Sequence, residues 1–279
     1  MSGGADSLAL LVLARSAGTV VTAVHVDHGL RPESAGEALV VAAAAERFGA
    51  DFRGESVEVA HGPNLEARAR EARRHVLGVD AATGHTMDDQ AETVLLNMLR
   101  GAALDGLAAM RPGRRHPLLA LRRAETRALC ADLGLEPVRD PSNDDPRFRR
   151  NRIRHELLPL CTEIAGRDIV PILARQAAVA ADERDHLEGL AAAVDASDAA
   201  AVTRVPVALA RRAARRWLRG DGPYPADLAA VDRVLAVARG EAVATDVAPG
   251  RRVRRSRGRL SVVELDPVAP VVSGLPVDR

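Results

Sequence analysis

The first half of the chain alternates short apolar runs with stretches of helical spacing, the pattern of a parallel sheet covered by helices. Helical spacing runs from about Ser7 to Ala17, an apolar run from Val20 to Val26, and helical spacing again from about Glu33 to Phe48. A strand pattern follows near Phe52 to Val59. Asn64 to Val76 is again helical, Val79 to Thr83 reads as a short buried strand, and Asp88 to Leu99 as a helix opened by acidic residues, which favour a helix N-terminus. The expectation is an open parallel sheet flanked by helices.

After Pro117 the pattern changes to a helix from about Arg123 to Gly134, a Pro-punctuated acidic turn at Asp140, and a basic helix start at Asn151. An Ala-rich helical stretch from about Ile169 to Val194 leads to two more helical patterns, Val207 to Leu218 and Ala226 to Ala238, and then to β-like alternation through Val243 to Leu265. At about 100 to 200 residues per domain, 279 residues suit one large or two modest domains. The boundary is expected near 190–205. Residues 1–195 then form the main domain with its helical extension, 196–266 a small α+β domain, and 267–279 a flexible tail. With aromatics at 2%, the core must come from Ala, Val and Leu.

Composition removes several mechanisms. The chain has no lysine, so it has no Walker-A lysine, no Schiff base and no pyridoxal anchor. Cys130 and Cys161 stand far apart without a neighbouring His cluster, which argues against a disulfide framework or a zinc ribbon. No apolar run approaches a membrane span and no signal peptide is visible, so a cytoplasmic protein with no membrane partner is expected. The net charge of +1 conceals local arginine clusters, including five between 147 and 154 and six between 251 and 259, which suit a polyanion.

Three polar segments carry the chemistry. Ser2-Gly3-Gly4-Ala5-Asp6-Ser7 runs straight into the apolar helix at Leu8, where unpaired backbone N–H groups and hydroxyls can hold a pyrophosphate without lysine. An ordinary Gly-rich turn capping a helix has the same composition. Val24-His25-Val26-Asp27-His28-Gly29-Leu30-Arg31 and Thr83-Gly84-His85-Thr86-Met87-Asp88-Asp89-Gln90-Ala91-Glu92-Thr93 are two further strand ends running out into polar residues. In open α/β sheets such ends define one crevice. Asp6 and Asp89 can share the Mg²⁺ that shields nucleotide phosphates; helix N-capping is the other reading of Asp88 and Asp89.

The motifs S-G-G-x-D-S, H-V-D-H-G-L-R and T-G-H-T-x-D-D-Q-A-E-T, with D-P-S-N-x-D and R-N-x-I-R further on, resemble those of the tRNA(Ile)-lysidine synthetases, members of the PP-loop ATP pyrophosphatase superfamily. The resemblance covers most of the chain. It implies a PP-loop, adenine-nucleotide alpha-hydrolase-like fold of the Rossmann type, and a C-terminal tRNA-binding domain carrying Pro249-Gly250-Arg251-Arg252. It also implies a strand leading into the loop at Ser2, where only Met1 stands, so the first strand is expected to be missing from the chain as written, with an upstream start codon encoding it. It also implies a carbon–nitrogen ligase reaction. ATP adenylates the C2 oxygen of the wobble cytidine in a CAU-anticodon isoleucine tRNA, and the ε-amine of free L-lysine displaces AMP.

Under that resemblance Ser2, Gly3, Gly4, Ala5, Asp6 and Ser7 hold the ATP phosphates, and Asp6 and Asp89 bind Mg²⁺. His85 contacts the transferring phosphoryl group, assists proton movement, or bonds the loop backbone. Arg70 lines the crevice or belongs to a solvated helix face. Glu92, three residues past Asp89 and on the same helical face, receives a substrate ammonium. Arg150, Asn151 and Arg154 belong to the lysine and tRNA pocket. A homodimer is left open, since no residue pattern specifies it. Two alternatives stand beside this reading: another PP-loop tRNA-modifying ligase, and a non-catalytic tRNA-binding relative that has lost its first strand.

Overall fold

A computed structural model describes residues 1–27, 34–57, 68, 72, 76–78, 80–219 and 226–265. The chain forms two compact units, Met1–Asp182 and Glu183–Arg279.

In the first unit, helix α1 (Ala5–Ser16) is followed by strand β1 (Thr22–Asp27), helix α2 (Ser34–Arg47) and strand β2 (Asp51–Ser56). The strands pair in parallel, from Thr22 opposite Asp51 to Asp27 opposite Ser56, and α2 is the crossover that packs on both. Leu8 and Leu11 of α1, Ala23 of β1, and Val41, Ala44 and Ala45 of α2 close the core with Cys130. Arg15 in the last turn of α1 donates to the carbonyls of Thr19 (2.7 Å) and Phe48 (3.1 Å), satisfying backbone acceptors beyond the helix end.

The expected strand from Val79 to Thr83 is not formed among the described residues. Residues 81–86 run without a ladder, and the Thr83 amide donates to Arg115 O (2.8 Å) instead of to a parallel neighbour. Beside β1, the Met1 ammonium donates to Val24 O and Met1 O contacts Nδ1 of His25 at 2.9 Å.

Helix α3 (Met87–Leu99) begins at Thr86, and short α4 (Leu104–Leu107) leads toward α5 (Arg123–Asp132). A 3-10 turn (Pro141–Asp144) precedes α6 (Arg149–Arg152), which continues through a π turn (Ile153–Leu157) into α7 (Leu158–Ala165) and is followed by α8 (Val170–Ala192). α5 packs on α1. Ala91 and Val94 of α3 meet Ile153, Leu158, Val170, Leu173 and Ala177 in a second core cluster, so the basic stretch from 147 to 154 is anchored by its apolar neighbours.

The second unit holds α9 (Ala199–Arg204), α10 (Val207–Arg219), α11 (Leu228–Arg239) and an antiparallel sheet β3 (Ala244–Ala248), β4 (Arg251–Ser256), β5 (Arg259–Glu264) in that order. Val202, Val231, Val234, Val237, Val253 and Leu260 form its aliphatic core. β4 alternates as a half-buried strand should, with Val253 inside and Arg252 and Arg254 outside. Among the described residues no helix is long and apolar enough to cross a membrane.

Candidate active site

Three helix starts build the site. Gly4 caps α1 in an extended conformation, and the Ser7 hydroxyl donates back to Gly4 O at 2.9 Å. Gly3 has φ +71°, and a Cβ there would also lie 2.8 Å from Cγ2 of Val138. Only glycine combines that backbone with that space. Ser2 is exposed, its Oγ 3.4 Å from the Gly4 amide. The third motif lies directly against this loop, because a Cβ on Gly84 would fall 2.6 Å from Asp6 O.

Thr86 caps α3, and its amide and hydroxyl both reach Oδ2 of Asp89, at 2.9 and 3.0 Å. That is a capping box with Asp in the position usually taken by Glu or Gln. Asp88 points the other way. It accepts from the Arg123 amide (2.8 Å) and from Arg122 Nε (3.1 Å) and Nη2 (3.2 Å), tying the start of α3 to the start of α5.

The centre is a cluster of carboxylates and guanidiniums. Arg123 reaches Asp89 Oδ1 (2.9 Å), Glu92 Oε1 (3.0 Å) and Asp6 Oδ2 (3.6 Å). Arg150 reaches Asp89 Oδ1 (3.1 Å) and Glu92 Oε2 (2.8 Å). Arg154 reaches Glu92 at Oε1 (2.7 Å) and Oε2 (3.1 Å). Thr126 on α5 donates to Asp6 Oδ1 at 2.5 Å.

Burial pushes the Glu92 carboxyl up, but the Arg154 hydrogen bonds and the Arg123 charge outweigh it and hold the group below its ordinary value. Asp89 behaves likewise, its burial outweighed by the charges of Arg123 and Arg150. Asp6 goes the other way. Its burial dominates, the Asp89 charge adds to it, and together they raise its carboxyl despite Thr126 and Arg123.

His85 lies beside this cluster, within electrostatic reach of Asp89. Its Nδ1 is 2.7 Å from the Thr83 hydroxyl, and its ring meets His116 edge to face at 5.2 Å.

Glu92 is 0% exposed and its oxygens are shared by three guanidiniums, so in this structure it holds those arginines in place. Asn151 is buried and its Nδ2 donates to Ser142 O (2.7 Å) and Asp145 O (2.9 Å). It staples the acidic turn to the start of α6. Arg70 and the segment from His28 to Arg31 lie outside the described residues. Sequence reasoning missed Arg123 and Thr126. The available signal was the polar start of α5, where Arg122 and Glu125 form a capping box whose backbone bond is 2.7 Å.

Mg²⁺ can be tested against these groups. Among the described residues no three His, Cys, Asp or Glu side chains converge as a cage. Mg²⁺ keeps most of its water and takes one or two carboxylates beside substrate phosphates. Asp6 and Asp89, which share Arg123 and raise each other's cost of ionisation, supply such a hard oxygen pair at the mouth of the glycine loop. They fit.

Residues 1–161 match the family model of the PP-loop domain. The class of protein is therefore a PP-loop, ATP-using enzyme. A solved structure, the U34-tRNA thiolase NcsA from Methanococcus maripaludis with its [4Fe-4S] cluster, shares the fold with a TM-score of 0.51 at 17% identity, over 66% of this chain and 70% of that one.

The tRNA(Ile)-lysidine synthase of Nocardia farcinica is 42% identical over 94% of this chain and 90% of its own length. That of Rhodococcus erythropolis is 41% identical over 93% and 87%. The chain belongs to the tRNA(Ile)-lysidine synthase family, whose members are ligases.

Proposed function

We propose that this chain joins free L-lysine to C2 of the wobble cytidine in a CAU-anticodon tRNA(Ile), consuming ATP and releasing AMP and pyrophosphate through an adenylated cytidine. The observation that carries the reading is Arg123, which brings Asp6 and Asp89 face to face at the glycine loop although the three residues are far apart in the chain.

In the first step the C2 oxygen bonds to the α-phosphorus of ATP and pyrophosphate leaves. In the second the lysine ε-amine bonds to C2, loses a proton, and AMP departs with the oxygen. Neither step needs a protein nucleophile, so positioning and charge stabilisation carry the catalysis. The N–H groups and hydroxyls from Ser2 to Ser7 hold the phosphates at the start of α1. Mg²⁺, held by Asp6 and Asp89, supplies charge neutralisation on the phosphates when bound. His85 serves the transferring phosphoryl group or the amine proton. Glu92 acts as a positioning residue that keeps Arg123, Arg150 and Arg154 aimed at the site, and Asn151 keeps the acidic turn against α6. Residues 1–195 carry the chemistry, and residues 196–266 bind tRNA in the cytoplasm.

The test is AMP release with Mg²⁺, lysine and a CAU-anticodon tRNA(Ile) transcript, each omitted in turn. Release that needs all of them is expected. Tight tRNA binding with no release under any condition would overturn the reading in favour of a non-catalytic tRNA-binding protein.

A further inference from the structure

The Thr83 hydroxyl has three neighbours. Nδ1 of His85 is 2.7 Å away, Nδ1 of His116 is 2.8 Å away, and the Arg115 carbonyl oxygen is 3.2 Å away. A hydroxyl has one proton and two lone pairs, and a carbonyl can only accept. One assignment satisfies all three contacts at once. The hydroxyl donates to Arg115 O, and each imidazole donates its Nδ1–H to one lone pair of Oγ1. Burial and the Arg115 charge hold His116 below the ordinary imidazole value, so it meets Thr83 as a neutral ring with a single N–H. The edge-to-face packing of the two rings at 78° fixes the orientation of both.

We infer that Thr83 and His116 are positioning residues for His85, fixing it as the Nδ1–H tautomer whose Nε2 is the ring's proton acceptor. The inference rests on the placing of His85 in the reactive site proposed above. In that role Nε2 takes the proton that the lysine amine loses as its nitrogen bonds to C2, and the imidazolium so formed keeps its Nδ1–H bond to Thr83. His116 never touches substrate. It acts by occupying the second lone pair of the hydroxyl, which leaves the proton to the Arg115 carbonyl, able only to accept, and the remaining lone pair to His85.

Ring ¹⁵N spectra of the histidine-labelled full chain distinguish the two tautomers, and comparison with His85→Asn assigns the His85 signals. The expected result is an Nδ1–H ring at His85 in the wild type. Thr83→Val should give a mixture of tautomers and slow AMP release by about tenfold or more with KM for ATP little changed. His116→Asn, whose side-chain NH₂ can take the place of Nδ1–H, should keep both the tautomer and most of the rate, whereas His116→Phe should lose both. An Nε2–H ring in the wild type overturns the inference, as does Thr83→Val with an unchanged ring. A wild-type chain that releases no AMP sinks the proposed reaction separately, because the spectra report the ring without turnover.

Discussion

In the N-terminal unit Arg123 keeps 14% of its side chain exposed and serves three carboxylates. In the C-terminal unit Arg211, Arg239 and Arg252 each face a single carboxylate, Asp232, Glu241 and Asp246, with both partners between 42% and 60% exposed. The residue type is the same and the physics is not. Taking charges out of water costs several kcal/mol per ion, recovered only where the geometry saturates every oxygen and N–H. Solvated pairs are screened and weak. A chain without lysine must use arginine for both tasks, and the planar fork of the guanidinium is what lets one side chain bridge two or three acids. The first unit thus spends its arginines on a preorganised site, while the second draws its stability from valine, leucine and alanine.

The largest effect should come from Glu92→Ala. It leaves Arg123, Arg150 and Arg154 without their shared partner in a buried place, and urea unfolding should show a loss of about 3–5 kcal/mol. A change near zero would mean that the cluster is solvated like the pairs of the second unit. Asp89→Asn should lower AMP release by about 100-fold or more while tRNA affinity stays within a few fold; an equal loss of both would make Asp89 a structural cap and nothing else.

In the second unit Val234→Ala should cost about 2 kcal/mol, because the side chain is fully buried and a cavity remains. Trp217, the chain's one tryptophan, packs against that core, so its fluorescence should follow the transition.

Acid should separate the units next. Asp88, Asp89 and Glu92 sit below their ordinary values of 3.8, 3.8 and 4.5. The unfolded chain therefore takes up protons first, and the stability these groups supply is complete above about pH 5 and drains as the pH falls through their lower folded values. Asp6, raised, has the opposite sign and weakens the folded state as the pH climbs through its titration. Three groups outweigh one, so hydrogen exchange on α3 should accelerate below about pH 4 before exchange on α11 does. Simultaneous loss would contradict the contrast. Smallest of all, Asp246→Asn breaks a half-exposed pair with Arg252 and should leave the calorimetric midpoint unchanged.

Much of this was legible beforehand. The parallel α/β order, the helices α1, α2, α3 and α5, and the late β alternation appear where periodicity puts them, within a few residues. The segment from Val79 to Thr83 was misread because an apolar run of that length is a strand only when a neighbour offers a ladder, and here Arg115 takes the Thr83 amide. For Glu92, helical spacing placed it on the face of Asp89, but spacing carries no information on which arginines that face meets.

By itself, the sequence determined what closes within one helical turn or one strand. Gly4 before α1, the bond from the Thr86 amide to Asp89 three residues on, and the inward Val253 between outward arginines are of this kind. Local hydrogen bonds and side-chain alternation encode them. The tertiary structure alone decided which of 39 basic residues meets which acid. Arg123 lies 34 residues from Asp89, Arg154 lies 62 from Glu92, and Thr126 lies 120 from Asp6. Such pairs exist only after the packing of α1, α3, α5 and α6 has removed water from between them. Desolvation then makes the choice of partner strict, since a buried charge left without its counterpart would cost more than the fold can spare.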